Sequence, residues 1–333
     1  MSGERPTTIE VRFTVEPELH GRRVDHFLRA KIRRLSRTKL QHIILTQLTF
    51  EDGRAVKVST PVRAGETILI RRPARPEPIC PRTFGVLVDE PSYMVVDKPA
   101  GLPMHASARF YFNTLTALLR ERFPGQGLQI AHRLDRETSG CIVVARGKPA
   151  SSKLKTAFAK RKVSKTYLAI VLGEPPWDEE HVIDHPLALA DASSSDLKIR
   201  MVPARGVEGA QDAVTRVRVL QRVPGGALVE CRPITGRQHQ IRAHLAAEGF
   251  PIVGDKLYGR TDDEFRAWAD AAVKGATDAD AIASFGFPRQ ALHAAAITFP
   301  HPDTGLPVTV ESPLPEDMAA WLVTPKSRAT SNG

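Results

Sequence analysis

Apolar positions along the chain recur at two spacings, and the switches between them mark out elements. Val11, Phe13 and Val15 alternate, as one face of a strand does. Val24, Phe27, Leu28 and Ile32 then share one helical face. Ser36 is placed to cap a second helix, with Leu40, Ile43 and Ile44 inward. Residues 48–56 predict a hairpin, and residues 65–70 a strand after a turn. Four prolines then interrupt every period between positions 71 and 81, which makes that stretch a semi-stiff spacer. The boundaries that follow are a small domain over 12–72, a linker over 73–83, a large domain over 84–325 and a disordered tail over 326–333.

In the large domain Phe84, Val86 and Val88 alternate, and Met94, Val95 and Val96 form a short strand before a polar loop over 97–105. Lys98 and His105 on that loop are placed to line a cleft. Leu115, Leu118 and Leu119 suit a helix that ends before Pro124. Leu128, Ile130 and Ala131 lead into a concentrated polar stretch, residues 132–140, and a continuous apolar strand follows over 141–145. Residues 151–161 read as a basic helix with Leu154 and Phe158 inward. Residues 163–171 read as a strand on which Lys165 and Tyr167 face the same side. Residues 181–209 are an excursion with short strands at most. Residues 212–220 and 227–232 are better strands, after which a helix is expected to start at Thr235 or Gly236, with Ile241 and Leu245 packing inward.

Charge changes the picture. The 333 residues carry 47 Lys and Arg against 37 Asp and Glu, a net charge of +10, which favours a polyanionic partner. Eight of the cations (Arg22, Arg23, Arg29, Lys31, Arg33, Arg34, Arg37 and Lys39) fall within residues 21–41, beside a single acid, Asp25. Two short helices would present them outward, where phosphate contacts position a nucleic acid without reading its sequence. Cys80, Cys141 and Cys231 make neither a zinc pattern nor a disulfide framework, and read as reduced thiols of a cytoplasmic protein. No secretory or membrane-spanning segment is expected.

The candidate chemistry centres on Asp135. Flanked by Arg133 and Arg136, its carboxylate is expected to stay ionised, either to act as nucleophile or base or simply to brace the loop. Arg237, at the expected helix start, suits a phosphate or Asp135. Gln238 and Arg242 share another helical face. His239 and His244 stand five apart with no acid between them, which is not a metal-ligating pair, and no metal is expected. Residues 260–288, with Trp268 and six acids, cannot grip phosphate and are expected to cover the domain flank or shape substrate choice.

These motifs carry a resemblance. His132-Arg133-Leu134-Asp135 with Thr138-Ser139-Gly140 resembles the signature of the RluA-type pseudouridine synthases. Lys165-Thr166-Tyr167 and residues 235–242 resemble its other two active-site motifs, and 251–259, 289–294 and 312–315 also look like family sequence. The N-terminal segment resembles an RNA-binding module first described in a small-subunit ribosomal protein, although Phe50-Glu51-Asp52-Gly53 departs from its usual turn. The resemblance implies an α+β fold with a mixed, mainly antiparallel sheet and a central catalytic cleft, preceded by the small RNA-binding domain.

It further implies that a uridine within RNA is isomerised to pseudouridine without cofactor or metal. Asp135 would be the catalytic carboxylate, Tyr167 would stack on the uracil, and Arg237 would hold Asp135. Arg133 would fill the space left by the flipped nucleotide, with His132, Lys165, Gln238, His239 and Arg242 around the substrate. The implied partner is ribosomal RNA of the large subunit, with transfer RNA as the alternative, and the chain is expected to act as a monomer. A non-catalytic RNA-binding protein would explain the charge but not the joint presence of Asp135, Tyr167 and Arg237. A base-removing or RNA-cleaving hydrolase would also need an acidic group near a sugar, but neither a two-histidine phosphodiester arrangement nor a multi-carboxylate metal cluster is apparent, so that reading ranks lower.

Overall fold

The computed structural model describes residues 7–32, 35–107, 109–191, 195 and 197–324. Arg33 and Arg34 of the basic segment and the tail over 326–333 lie outside the described residues. Contacts divide the chain into two compact units, with the break between Glu77 and Pro78.

The first unit is a three-stranded antiparallel sheet backed by two helices. Strand β1 (Thr8–Thr14) is followed by α1 (Val24–Lys31), α2 (Arg37–Gln47), β2 (Leu48–Phe50) and β3 (Thr67–Pro73), with the order β1-β3-β2 in the sheet. Ser36 caps α2, its Oγ accepting from the Lys39 amide at 3.3 Å. The stripe Val24, Phe27 and Leu28 on α1 meets Leu40 and Ile44 on α2 over Phe50, Ile68 and Ile70 of the sheet.

The hairpin expected over 48–56 does not form. Strand β2 stops at Phe50 and pairs instead with the distant β3, Phe50 opposite Ile68, so that both side chains are buried. Beyond the turn at Gly53 the chain leaves the sheet, and the Arg54 guanidinium stacks on the Phe50 ring at 3.9 Å.

The second unit is built on a ten-stranded sheet. In chain order its elements are β4 (Gly85–Asp89), β5 (Tyr93–Lys98), α3 (Leu115–Arg122), β6 (Leu128–Ile130), β7 (Ser139–Arg146), α4 (Gly147–Ala159), β8 (Ser164–Leu172) and β9 (His181–Asp184). A separate two-stranded pair follows, β10 (Leu187–Leu189) with β11 (Met201–Pro203). Then come β12 (Val214–Val223), β13 (Gly226–Pro233), α5 (Gln240–Ala247), α6 (Asp262–Val273), α7 (Asp278–Phe285), β14 (Leu292–Pro300), β15 (Pro307–Glu311) and α8 (Glu316–Val323). The sheet order is β4-β5-β7-β14-β8-β13-β12-β9, with β15 on β14 and β6 on β7. Every pairing is antiparallel except β14 with β7.

Why β7 is apolar without alternation follows from its place in the middle of that sheet. Ile142 and Val144 face one core, with Met94, Val96, Leu115 and Leu118. Cys141, Val143 and Ala145 face the other, with Leu154 of α4 and Phe299 of β14. A strand covered on both faces has no polar face to show. At its start the parallel approach of β14 needs a glycine. Gly140 has φ +107°, and a Cβ there would lie 2.3 Å from the Ala294 carbonyl oxygen. The loop carrying Asp135 is therefore pinned to the centre of the sheet immediately after its reactive residues. No disulfide joins Cys80, Cys141 and Cys231. Among the described residues no helix is long and apolar enough to cross a membrane.

Candidate active site

Asp135 lies in the loop between β6 and β7 and lines a cavity of about 310 Å³. Arg133, Lys165, Tyr167, Arg237, Gln238, His239 and Arg242 line the same cavity, so the loop, strand β8 and the segment before α5 converge as the sequence motifs imply. The volume suits one nucleoside-sized ligand. Asp135 keeps 24% of its side-chain exposure, enough to meet a ligand in that space.

The guanidinium holding Asp135 belongs to Arg242, which corrects the expected pairing with Arg237. Arg242 Nη1 donates to Asp135 Oδ2 at 2.8 Å, while Nε and Nη2 donate to the two oxygens of Asp255 at 2.6 and 2.9 Å. Asp255 is buried and also accepts the amides of Leu257 and Tyr258 at 2.8 and 3.0 Å. The two-pronged grip on Asp255 fixes the guanidinium plane, and the remaining nitrogen is aimed at Asp135.

The register of the helix accounts for the exchange. Helix α5 begins at Gln240, not at Thr235 or Gly236, because residues 235–239 form a turn that ends with His239 in the left-handed region, φ 53°. Gln240 locks that turn, its Oε1 accepting from Thr235 Oγ1 at 2.7 Å and from the Arg237 amide at 2.9 Å. Arg237 therefore leaves the turn sideways and donates through Nε to the Asp212 carbonyl at 2.9 Å, although it still lines the cavity. Gln238 lies in the turn rather than on a helical face shared with Arg242.

Electrostatics follow from burial and from these partners. Burial pushes the Asp135 carboxyl up, but the charge and hydrogen bond of Arg242 outweigh it and hold the group below the usual carboxylate range. The flanking Arg133 and Arg136 are not what keep it ionised: Arg136 pairs with Glu137 at 3.2 Å. Burial, with the positive charge of Arg242, depresses His239 to about 4, so its ring is neutral. His239 Nε2 stands 3.9 Å from Asp135, and its Nδ1 is 3.2 Å from the Tyr258 hydroxyl. Burial, then the negative charge of Asp135, raises Tyr167, which keeps its phenol protonated at neutral pH.

Three other candidates fall differently. His132 Nε2 accepts the Val143 amide at 3.1 Å, and its ring stacks on Phe158 with 4.9 Å between centroids. It faces a neighbouring cavity rather than the one that holds Asp135. Lys98 lines neither cavity. It is buried, and Nζ donates to the carbonyls of Pro99, Leu102 and Arg136 at 2.8, 3.0 and 3.0 Å, tying the 97–105 loop to the Asp135 loop. His105 is exposed and bonds Thr116 Oγ1 at 2.8 Å.

Contributions missed in the sequence come from the turn at 255–258. Besides Asp255 it supplies Lys256, whose Nζ donates to Glu137 at 3.0 Å, and Tyr258, which meets His239. Gln290 donates to Thr138 Oγ1 at 2.6 Å and also hydrogen-bonds Asp135. Carboxylate and amide residues within two stretches of family-like sequence were the available signal. The acidic stretch over 260–288 forms α6 and α7, and Trp268 lies 5.7 Å from Lys256 Nζ, beside the turn that reaches the Asp135 loop.

The α+β fold on a mixed, mainly antiparallel sheet is shared with RNA pseudouridine synthases. The human structure titled RNA pseudouridylate synthase domain containing 1 matches 71% of this chain and 86% of its own, with a TM-score of 0.54 and 27% identity. Its counterpart, domain containing 4, matches 71% and 90% with a TM-score of 0.53 and 28% identity. Residues 92–247 match the family described as RNA pseudouridylate synthase. The chain is 34% identical to the ribosomal large subunit pseudouridine synthase D of Xanthomonas campestris pv. campestris, over 94% of this chain and 92% of that protein. It is 29% identical to the ribosomal large subunit pseudouridine synthase C of Vibrio vulnificus, over 91% and 93%. The chain belongs to the RluA-type family of RNA pseudouridine synthases, and it is an enzyme of that family.

Proposed function

We propose that this enzyme isomerises a uridine of large-subunit ribosomal RNA, with Asp135 as the reacting carboxylate. The observation that carries the reading is the bond from Arg242 to Asp135, at the edge of a cavity that also holds Tyr167. In the reaction the N1–C1′ bond breaks, the base turns within the pocket, C5 bonds to C1′, the C5 proton leaves and N1 takes up a proton. Whether Asp135 serves as nucleophile or as base, it must be ionised, and Arg242 holds it so. Tyr167, protonated and buried in the sheet, offers a flat wall on which the uracil stacks while it is detached. Arg133 is exposed at the cavity mouth, where it takes the place of the extruded nucleotide.

The first unit supplies affinity. Arg22, Arg29, Arg37 and Lys39 are exposed and make no ion pair among the described residues, whereas Arg23 is bound to Asp25 at 3.0 and 3.1 Å. That face grips phosphates, and a single chain carries both functions. Ribosomal RNA is favoured by the printed names of the relatives. The test is incubation with unmodified transcripts of large-subunit ribosomal RNA and of transfer RNAs, followed by mapping of pseudouridine. Pseudouridine at defined positions of the ribosomal transcript is expected; modification confined to transfer RNA would overturn the substrate assignment.

A further inference from the structure

A second cavity, of about 440 Å³, adjoins the first. The two share Arg133, Lys165 and Arg237, and the second adds Arg161 and the stacked pair His132 and Phe158. Four cationic side chains line it and no carboxylate does. Among the described residues the side chains of Arg133, Arg161 and Lys165 are held by neither a hydrogen bond nor an ion pair, although Lys165 is largely withdrawn from water, which lowers its pKa. Cations gathered without counterions repel one another unless an anion joins them.

The backbone at Arg161 points the same way. Helix α4 ends in a reverse turn, with the Lys162 amide donating to the Ala157 carbonyl at 2.9 Å and the Arg161 amide to Phe158 at 3.1 Å. Arg161 occupies the left-handed position of that turn, φ 55°, where glycine is the relaxed choice. Only Arg161 and His239 among the described non-glycine residues have positive φ, and each faces one of these two cavities. An arginine standing where glycine fits better points to a role for its side chain.

We propose that the second cavity binds the nucleotide adjoining the target uridine, its phosphate between Arg161 and Lys165 and its base against the Phe158–His132 stack. The inference rests on the proposed RNA reaction at Asp135. One ligand then occupies both cavities: the target uridine lies by Asp135 and Tyr167, and the next nucleotide of the same strand lies beside it. Splayed single-stranded nucleotides are held in this manner by cations that track the backbone and flat groups that receive the bases.

The test compares Arg161→Gly and Arg161→Lys with the wild-type chain on an unmodified large-subunit ribosomal RNA transcript. Dissociation constants across a salt series, thermal midpoints and pseudouridine formation are all measured. Arg161→Gly relaxes the backbone, so its midpoint is expected to rise by about 2–4 °C. Its affinity is expected to fall about 5- to 10-fold, and its slope of log K against log salt to flatten by about 0.7, the share of one single-strand phosphate. Arg161→Lys is expected to keep most of the affinity and the slope. A higher midpoint with unchanged affinity and slope would overturn the proposal. So would a lower midpoint in both variants, which would make Arg161 a structural residue. Absence of pseudouridine with the wild-type chain would instead sink the proposed reaction, while affinity and slope would still judge the cavity.

Discussion

Arg242 retains 9% side-chain exposure between two carboxylates, whereas Arg22, Arg29, Arg37 and Lys39 of the first unit stand exposed and without ion pairs among the described residues. The residue chemistry is similar and the physics is opposite. A buried guanidinium has given up its hydration, so its partners decide its orientation, and removing one leaves a charge uncompensated. An exposed one keeps its water and its freedom, contributes little to the fold, and interacts with a polyanion in proportion to the salt present. Cations of the first kind set the geometry and charge of Asp135; those of the second kind are, on the proposed reading, what draws RNA to the surface.

The largest expected effect breaks the buried side of this contrast. Asp255→Ala removes both oxygens that orient Arg242 and leaves its guanidinium in the core with Asp135 alone. A loss of about 3–5 kcal/mol in stability is expected by chemical denaturation. Turnover should fall beyond what the remaining folded fraction explains. Asp255→Asn keeps the shape and should be milder in stability. If Asp255→Ala retained full turnover, Arg242 would not depend on this clamp.

A smaller effect comes from histidines buried as neutral rings. His132 and His239 are depressed to about 3 and about 4, chiefly by burial, from an ordinary value of 6.5. Burial lowers His244 and His293 as well. Unfolded chains take up these protons first, so stability contributed by neutral burial is complete above pH 6.5 and is lost as pH falls toward the folded values. Asp135 and Asp255, also lowered, add to the loss only below the ordinary carboxylate value of 3.8. Urea unfolding at pH 7 and pH 5 should differ by up to about 2 kcal/mol for each fully shifted ring. A flat profile over that interval would mean that the rings are charged in the folded state.

The smallest effect on the fold, and a clear one on binding, is expected at the exposed face. Changing Arg22, Arg29, Arg37 and Lys39 together to Gln should leave the thermal midpoint nearly unmoved. RNA affinity should weaken and the salt slope flatten by about 3 if all four contact phosphates. The rate at saturating RNA should be preserved. A drop in that rate would place the basic face in the chemistry rather than in docking.

Much of this was legible in the residues, for definite reasons. Strand β7 showed itself as an unbroken apolar run because both its faces are covered, and the Asp135 loop was set off by contrast. Tyr167 and Lys165 were placed together by the two-residue period of β8. The pairing of Arg237 with Asp135 is not the one that forms, because the helix expected from Gly236 starts only after a turn whose left-handed residue is a histidine, which carries no glycine signal. Asp255 carries no sign of its role in the sequence because its partner is 13 positions away and meets it only once α5 and the following turn fold together. The hairpin over 48–56 failed because Phe50 gains more by burying against Ile68 than its neighbours do by pairing locally.

The central claim is that Asp135, ionised under the hold of Arg242, reacts with the target nucleotide. Its most direct test is release of tritium from RNA labelled at uridine C5, for wild-type chain and Asp135→Asn, alongside the affinity of each for that RNA. Substitution by the amide keeps the size of the side chain and removes the charge that reacts. Release should fall at least about 1,000-fold, the order seen when a group essential to the chemical step is removed. RNA affinity should stay within a few-fold of wild type. Tritium release by Asp135→Asn at the wild-type rate would contradict the account.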